Sequence, residues 1–498
     1  MNCDDDKMNS VSVMYFPAKG DRTRVLLPFL YLAIMLAFGS FYAKTFYVGL
    51  ALAAVLLITP VFIKHHQFLP AMLIAYFTIV PTYHVSSQFE GLPIYFFYPA
   101  IPFFLTAAIL LFSIERHFSY EIPALPEKNE ATGIFVQLLI LWFVFNVIRG
   151  IAANNNPDGI YSDSIQAFAF VSYFYWRKLF RNKYNLKKWF IYLLILSPVV
   201  SLVYVYLFMQ SYENIIAYVL ERKVTYHAYY SVVAVPLAIS YFMISKNKLY
   251  KVLLMLLVLL AAVQLVLSQQ RVTWVALIVM LVVYATLYSF RKGFTFNTLS
   301  HWIVTVFGSL AVLVGLFMLG ASYFGLDLEL ALSRWDKLAS FTDKSLLMRY
   351  FDSLRAINLL QGDWLWGLGV GTQIRAAYNL RLSGFIDQSY VLALYTGGAI
   401  MLFLLLGVYL SALSKSLQAM IKTDRESEKL MAIAIATSIL GTMSLAMTDV
   451  QVYLFAFLTL WMLMLAAAVV LNEHIDARLA MNDNVERVST EDVEEYPV

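Results

Sequence analysis

The sequence predicts an all-α polytopic integral membrane protein of about fourteen transmembrane helices, with one long outer loop bearing short helices. Three observations carry this. Of 498 residues, 61% are hydrophobic and only 14% charged, where a soluble chain carries about 25% charge. Mean hydropathy is +0.70. Apolar runs long enough to cross a bilayer as helices recur from residue 25 to residue 471.

The elements follow in order. Residues 1–24 form a polar N-terminal tail that opens "MNCDDDK" and ends with Lys19, Arg22 and Arg24 before the first apolar run. An acidic start and late basic residues read as a retained first span with a cytoplasmic N-terminus, rather than a cleaved signal peptide. Residues 25–323 hold eleven spans, centred on 25–42, 45–63, 68–86, 95–114, 131–148, 164–180, 189–209, 227–245, 249–267, 272–290 and 301–323. The sixth, "SIQAFAFVSYFYWRKLF", is amphipathic, which leaves a placement in the membrane interface open. Residues 324–387 form the long outer loop. Three more spans, 388–412, 430–447 and 450–471, fill residues 388–471. An acidic cytoplasmic tail, 472–498, ends "STEDVEEYPV" and reads as disordered.

Charge placement tests this map. With the N-terminus inside, 24 of the 36 Lys and Arg lie in cytoplasmic segments, and seven of the other 12 lie in the long loop. Short loops thus obey the positive-inside rule. The five exceptions are Lys44, Arg149, Arg222, Lys223 and Arg271. A cation at the outer boundary of a span is costly and commonly faces a cavity or partner. For Arg271, in "LSQQRVTW", the alternative is a snorkelling interface anchor. For Arg222 and Lys223, in "YVLERKVTYH", it is an ion pair with Glu221. For Arg149, in "NVIRGIAANNNPDG", it is an anchor followed by a polar turn.

Loops of this length are usually functional. Within the loop, Leu347, Phe351, Leu354 and Leu359 recur near helical spacing, so an amphipathic helix is expected across "SLLMRYFDSLRAINLL". "GLGVG" (367–371) then breaks the helix. Five arginines, Arg334, Arg349, Arg355, Arg375 and Arg381, outnumber the loop's two lysines, and the guanidinium fork suits phosphate or carboxylate. Six acidic residues besides Asp387 share the loop, so internal pairing is the competing use. Asp387, where the chain re-enters the membrane, reads either as a helix N-cap or as a general base. Trp364, Trp366 and Tyr390 suit stacking on sugar rings, or simple packing.

Other chemistries lack their signatures. There is no Walker loop, no metal-spaced His/Cys set and no Gly-x-Ser-x-Gly, and the single cysteine, Cys3, excludes an internal disulfide. Acidic residues are nearly absent from span interiors, which argues against an ion-coupled transporter.

The order of features resembles the bacterial O-antigen polymerase and O-antigen ligase family. Three pieces between about 260 and 405 carry the resemblance: the span end "LSQQRVTW", the loop piece "MRYFDSLRAINLLQGDWLWGLGVG", and "DQSYVLALYTGGAIMLFLLL" leading into the next span. The chain departs from the ligase pattern where ligases usually carry His-Asn, since Asp387-Gln388 stands there. It also lacks the proline expected before "WGLGVG". An aspartate at that position looks more like the polymerase branch.

The resemblance implies a glycosyltransferase of the bacterial inner membrane with its active site on the periplasmic face. It would polymerise undecaprenyl-diphosphate-linked oligosaccharides into O-antigen, capsule or exopolysaccharide. Membrane lipid, a chain-length regulator and a flippase would be its partners, with no nucleic acid, metal or cofactor. Asp387, Arg271 and Arg349 would be catalytic, Arg349 by its match to the family's loop arginine. Arg222, Lys223, Arg271 and Arg149 would contact the diphosphate, and Trp364, Trp366 and Tyr390 the glycan. The alternatives are a ligase moving finished glycan to lipid A core or protein, and a flippase for the same lipid-linked glycan.

Overall fold

A computed structural model describes residues 130–181, most of 186–195, 228–267, 271–292, 344–375, 382–383, 386, 388–447 and 455–494, with a few isolated positions between. The spans expected within 25–114, most of 189–209 and most of 301–323 lie outside these residues.

The described chain is helical. Its longer helices are α1 (Ala131–Ala152), α2 (Pro157–Phe180), α3 (Ala228–Ile244), α4 (Lys248–Leu267), α5 (Arg271–Lys292), α6 (Lys344–Leu359), α7 (Ser389–Lys422), α8 (Glu426–Ala446) and α9 (Phe455–Glu494). The loop adds one short antiparallel pairing, β1 (Ile374–Arg375) with β2 (Leu382–Ser383), in which Ile374 faces Ser383 and Arg375 faces Leu382. Among the described residues, four helices are long and apolar enough to cross a membrane: α1, α7, α8 and the Leu458–Met481 stretch of α9. These apolar helices agree with the membrane character that the composition predicts.

Burial follows from residue size and pattern. α8 lies centrally, against α3, α5, α7 and α9. Its small residues allow this: Ala432, Ala434 and Ala436 are fully buried, and Gly441 sits under Met280 of α5 and Val232 of α3. Small residues let helix backbones approach closely where lipid offers no hydrophobic drive. α9 is buried on every side from Leu458 to Leu471, the mark of a helix apolar all round. Polar side chains cross-link the bundle through backbone carbonyls. Ser240 donates to Leu430 O at 2.8 Å and pairs with the Tyr284 hydroxyl at 2.7 Å. Ser416 donates to Ala432 O at 2.7 Å.

The sixth expected span falls within α2. α2 packs along α9, and Phe170, Tyr173, Trp176 and Phe180 are buried. Ion pairs gather at this end of the bundle. Arg177 meets Glu473 at 2.7 Å and Glu130 at 3.7 Å. Arg478 binds both carboxylate oxygens of Glu428 at 2.7 Å, and Lys422 meets Asp476 at 2.7 Å. The same pairs correct the reading of the tail. α9 runs on to Glu494, about 60 Å at 1.5 Å per residue. Its apolar stripe continues through Leu471, Ile475 and Leu479, while Glu473, Asp476 and Arg478 are each tied to a neighbouring helix.

Candidate functional site

At the opposite end, the described part of the loop packs onto the bundle. The last turns of α1, "WFVFNVIRGIA", place Trp142, Asn146, Arg149 and Gly150 on one face by helical spacing. Residues 363–372 lie on that face. Val370 N donates to Asn146 O at 3.1 Å. Arg149 Nη1 donates to Trp366 O at 2.7 Å and Gly367 O at 2.8 Å, and its Nη2 lies 3.6 Å from Asp363. Just beyond α1, Asn155 Nδ2 reaches Leu368 O, Val370 O and Thr372 Oγ1 at 2.8–3.2 Å.

Glycines make this approach possible. Gly369 has φ +87°, and a Cβ there would lie 2.8 Å from Gly150 N. Such a φ suits glycine, and no side chain fits in that space.

The other side of the stretch fits a break in α7. Gly398, at φ 71° and ψ −172°, interrupts the helix after two and a half turns. A break frees backbone groups that lipid cannot satisfy. The loop supplies the partners: Leu368 N donates to Tyr395 O at 2.9 Å, Gly369 N to Thr396 O at 2.9 Å, and Ala399 N to Trp364 O at 2.8 Å. Trp142 Nε1 completes the set, donating to Gly397 O at 2.7 Å. Loop, α1 and the two halves of α7 thus close into one hydrogen-bonded knot.

The loop helix forms as the spacing predicts, over Lys344–Leu359, but it faces the other way from a helix packed on its apolar side. Its inward face carries Arg349, Ser353, Ala356 and Leu360, while Leu347, Phe351, Leu354 and Leu359 are exposed. Ser353 Oγ donates to Gln388 Oε1 at 2.9 Å. Ala356 and Leu360 pack with Ile386 and Tyr395 in a small second core. Of the three stretches that carry the family resemblance, the loop piece and the α7 lead-in touch, "RVTW" opens α5, and residues 268–270 lie outside the described residues.

The sequence-derived residues distribute as follows. Arg149 is half-buried, with its guanidinium held by the glycine stretch. Arg349 is half-buried on the α6 face that meets Gln388. Trp366 stacks on Trp142, with centroids 5.4 Å apart and planes 27° apart, and lies 5.9 Å from Phe145. Trp364 is exposed beside them. The Tyr390 hydroxyl donates to Met443 O at 3.1 Å, tying α7 to α8. Arg271 is the first residue of α5, and its side chain lies outside the described residues, as do Asp387, Arg222 and Lys223 altogether.

Sequence reading passed over several contributors. Asn146, Asn155 and Trp142 received no role, because their partners lie more than 200 residues away. Asp163 was also passed over. It stands one residue before the sixth span, and its Oδ2 accepts from Gly371 N at 3.4 Å. Burial pushes its carboxyl up to about 7, opposed by that one hydrogen bond. The polar run "NNNPDGIYSD" was the available signal.

Among the described residues, fold and site define a mainly helical bundle with four helices long and apolar enough to cross a membrane, and with residues 363–372 hydrogen-bonded to the ends of α1 and α7. No protein-family model matches the chain, and no curated protein matches it either.

Proposed function

We propose that this protein is a membrane glycosyltransferase that polymerises undecaprenyl-diphosphate-linked repeat units at the outer face of a bacterial inner membrane. One observation supports it most. The helix carrying Arg349 is seated on the segment that leads into α7, through Ser353 and Gln388, immediately beside the position of Asp387. An arginine-bearing loop pinned to a carboxylate-bearing lead-in suits a reaction in which diphosphate leaves and a hydroxyl attacks.

In this reading the bond between the anomeric carbon and the diphosphate oxygen breaks, and the acceptor hydroxyl oxygen forms the new bond to that carbon. The hydroxyl proton passes to Asp387 as general base. Charge develops on the departing diphosphate, and fixed cations stabilise it in a site shielded from water. Arg271 and Arg222 make these contacts, with Lys223, Arg149 and Arg349 adding positive potential. Trp364 offers an exposed ring for a sugar, and Trp366 and Tyr390 shape the same end of the bundle.

The test is the surface glycan of a deletion strain complemented with variants. Arg271→Glu and Asp387→Ala are expected to abolish polymer and leave single repeats on the final acceptor, with expression unchanged. Full-length polymer in both variants would refute the site. Polymer stranded on its carrier lipid would mark a ligase instead, and unassembled units held at the cytoplasmic face a flippase.

A further inference from the structure

We infer that the outer face of the long loop is itself a membrane-contact surface. The exposed side of α6 and the Trp364–Leu365–Trp366 turn would sit in the outer rim of the bilayer and contact acyl chains and headgroups. This stands on the surface of the molecule, and it shares Trp364 and Trp366 with the glycan-binding reading, so α6 and Leu365 carry its test.

The first observation is the inverted amphipathicity of α6. Its inward face mixes Ser353 and the half-buried Arg349 with the small Ala356, while the larger apolar side chains Leu347, Tyr350, Phe351 and Leu354 are between 37 and 56% exposed. In water such a helix would turn the other way. With hydrocarbon outside, this orientation is the favourable one, as for helices that lie in a membrane interface. Arg355 is exposed beside that face, where a cation meets lipid phosphate.

The second observation is continuity with the exposed apolar stripe of a candidate span. α1 is a candidate span whose outward stripe, Ile134, Leu138, Leu141, Phe145 and Ile148, is 39–65% exposed at helical spacing. Near its end the stripe does not stop. Phe145 and Trp142 meet the Trp366 ring at 5.9 and 5.4 Å, and Trp364, Leu365 and Trp366 are 43–51% exposed in succession. Trp at the end of a lipid-facing stripe is the composition of the interfacial aromatic belt. The hydrogen bonds that dock residues 363–372 on α1 and α7 hold this turn at that height.

Site-directed labelling of the full chain in phosphatidylcholine/phosphatidylglycerol nanodiscs tests the inference. Cys3 is the sole cysteine, so a Cys3→Ser background accepts one reporter at a time. Bimane would be placed at Phe351→Cys and Leu365→Cys, with Val144→Cys on the α1 stripe as lipid reference and Ser427→Cys in the exposed first turn of α8 as water reference. Both test sites are expected to match Val144→Cys: quenching by 5-doxyl phosphatidylcholine several-fold stronger than at Ser427→Cys, and iodide quenching several-fold weaker. Quenching at either site like that of Ser427→Cys overturns the inference. So does shielding from both quenchers, which would mean that a second copy or another protein covers the face. Should Leu365→Cys fail to give monodisperse nanodiscs, Leu354→Cys reads the same surface under the same criteria.

Discussion

Replacing Gly369 with alanine tests whether the glycine stretch is the joint between loop and bundle. Two costs arise. The left-handed backbone at φ +87° costs a residue with a Cβ about 1–2 kcal/mol. The new methyl would also lie 2.8 Å from Gly150 N and 3.0 Å from Gly150 Cα. Because both are backbone atoms of a helix, relief comes only from moving the stretch, and such overpacking costs about 1–3 kcal/mol. Together these weaken docking by about 2–5 kcal/mol. Gly362→Ala is the control, since Gly362 has φ +97° but nothing within 4 Å of its would-be Cβ, so it carries only the backbone cost.

Hydrogen–deuterium exchange reads the difference. Amides at Leu368, Gly369 and Val370 are held by Tyr395 O, Thr396 O and Asn146 O. Local opening sets their exchange rate, at roughly tenfold per 1.4 kcal/mol. Gly369→Ala should speed exchange across 364–373 by roughly thirtyfold to several thousandfold, and Gly362→Ala by about five- to thirtyfold. Equal acceleration by both variants, or unchanged protection in Gly369→Ala, would refute the docking argument.

Three further outcomes are expected. Arg149→Met strips donors from Trp366 O and Gly367 O. Each carbonyl left unsatisfied costs about 1–3 kcal/mol, and limited proteolysis should then nick the chain between residues 359 and 374. Activity lost with that segment still protected would instead favour a direct diphosphate contact. Arg177→Met removes the cation between Glu473 and Glu130. Losing one partner of a buried ion cluster costs about 3–5 kcal/mol, so the melting temperature should fall, and an unchanged melting temperature would count against the cluster. Asp163 carries a carboxyl raised to about 7 against about 3.9 when unfolded. The folded state therefore holds the extra proton between those values, and docking should weaken as pH rises from about 4 to 7. Asp163→Asn should flatten that slope in melting temperature measured against pH.

Much of the bundle was legible from periodicity. The span cores at 131–148, 227–245, 249–267 and 272–290 fall within α1, α3, α4 and α5 to within a residue or two. The loop helix was legible too, because Leu347, Phe351 and Leu354 recur at helical spacing. Its orientation was not, since the pattern gives a stripe and not what the stripe faces. Nor was the break in α7. "YTGGAIML" reads as a flexible start to a span, and it is the carbonyl of Trp364, the amides of Leu368 and Gly369, and the distant Trp142 indole that make Gly398 a stable interruption. Arg149 shows the same limit. A boundary cation can snorkel, pair or bind phosphate, and its two carbonyl partners lie 217 and 218 residues away. The tail misled by its composition, since α9 is held past residue 472 by charges on other helices.

The interruption at Gly398 has a practical consequence for anyone cutting this chain. A topology reporter or protease site spliced into 363–372 would pull out the segment that completes α7 and leave peptide groups stranded in oil. Such a fusion would describe a damaged bundle, not the native arrangement. Residues 363–372 and the ends of α1 and α7 share one set of hydrogen bonds, so cutting between them exposes the peptide groups that each caps in the other.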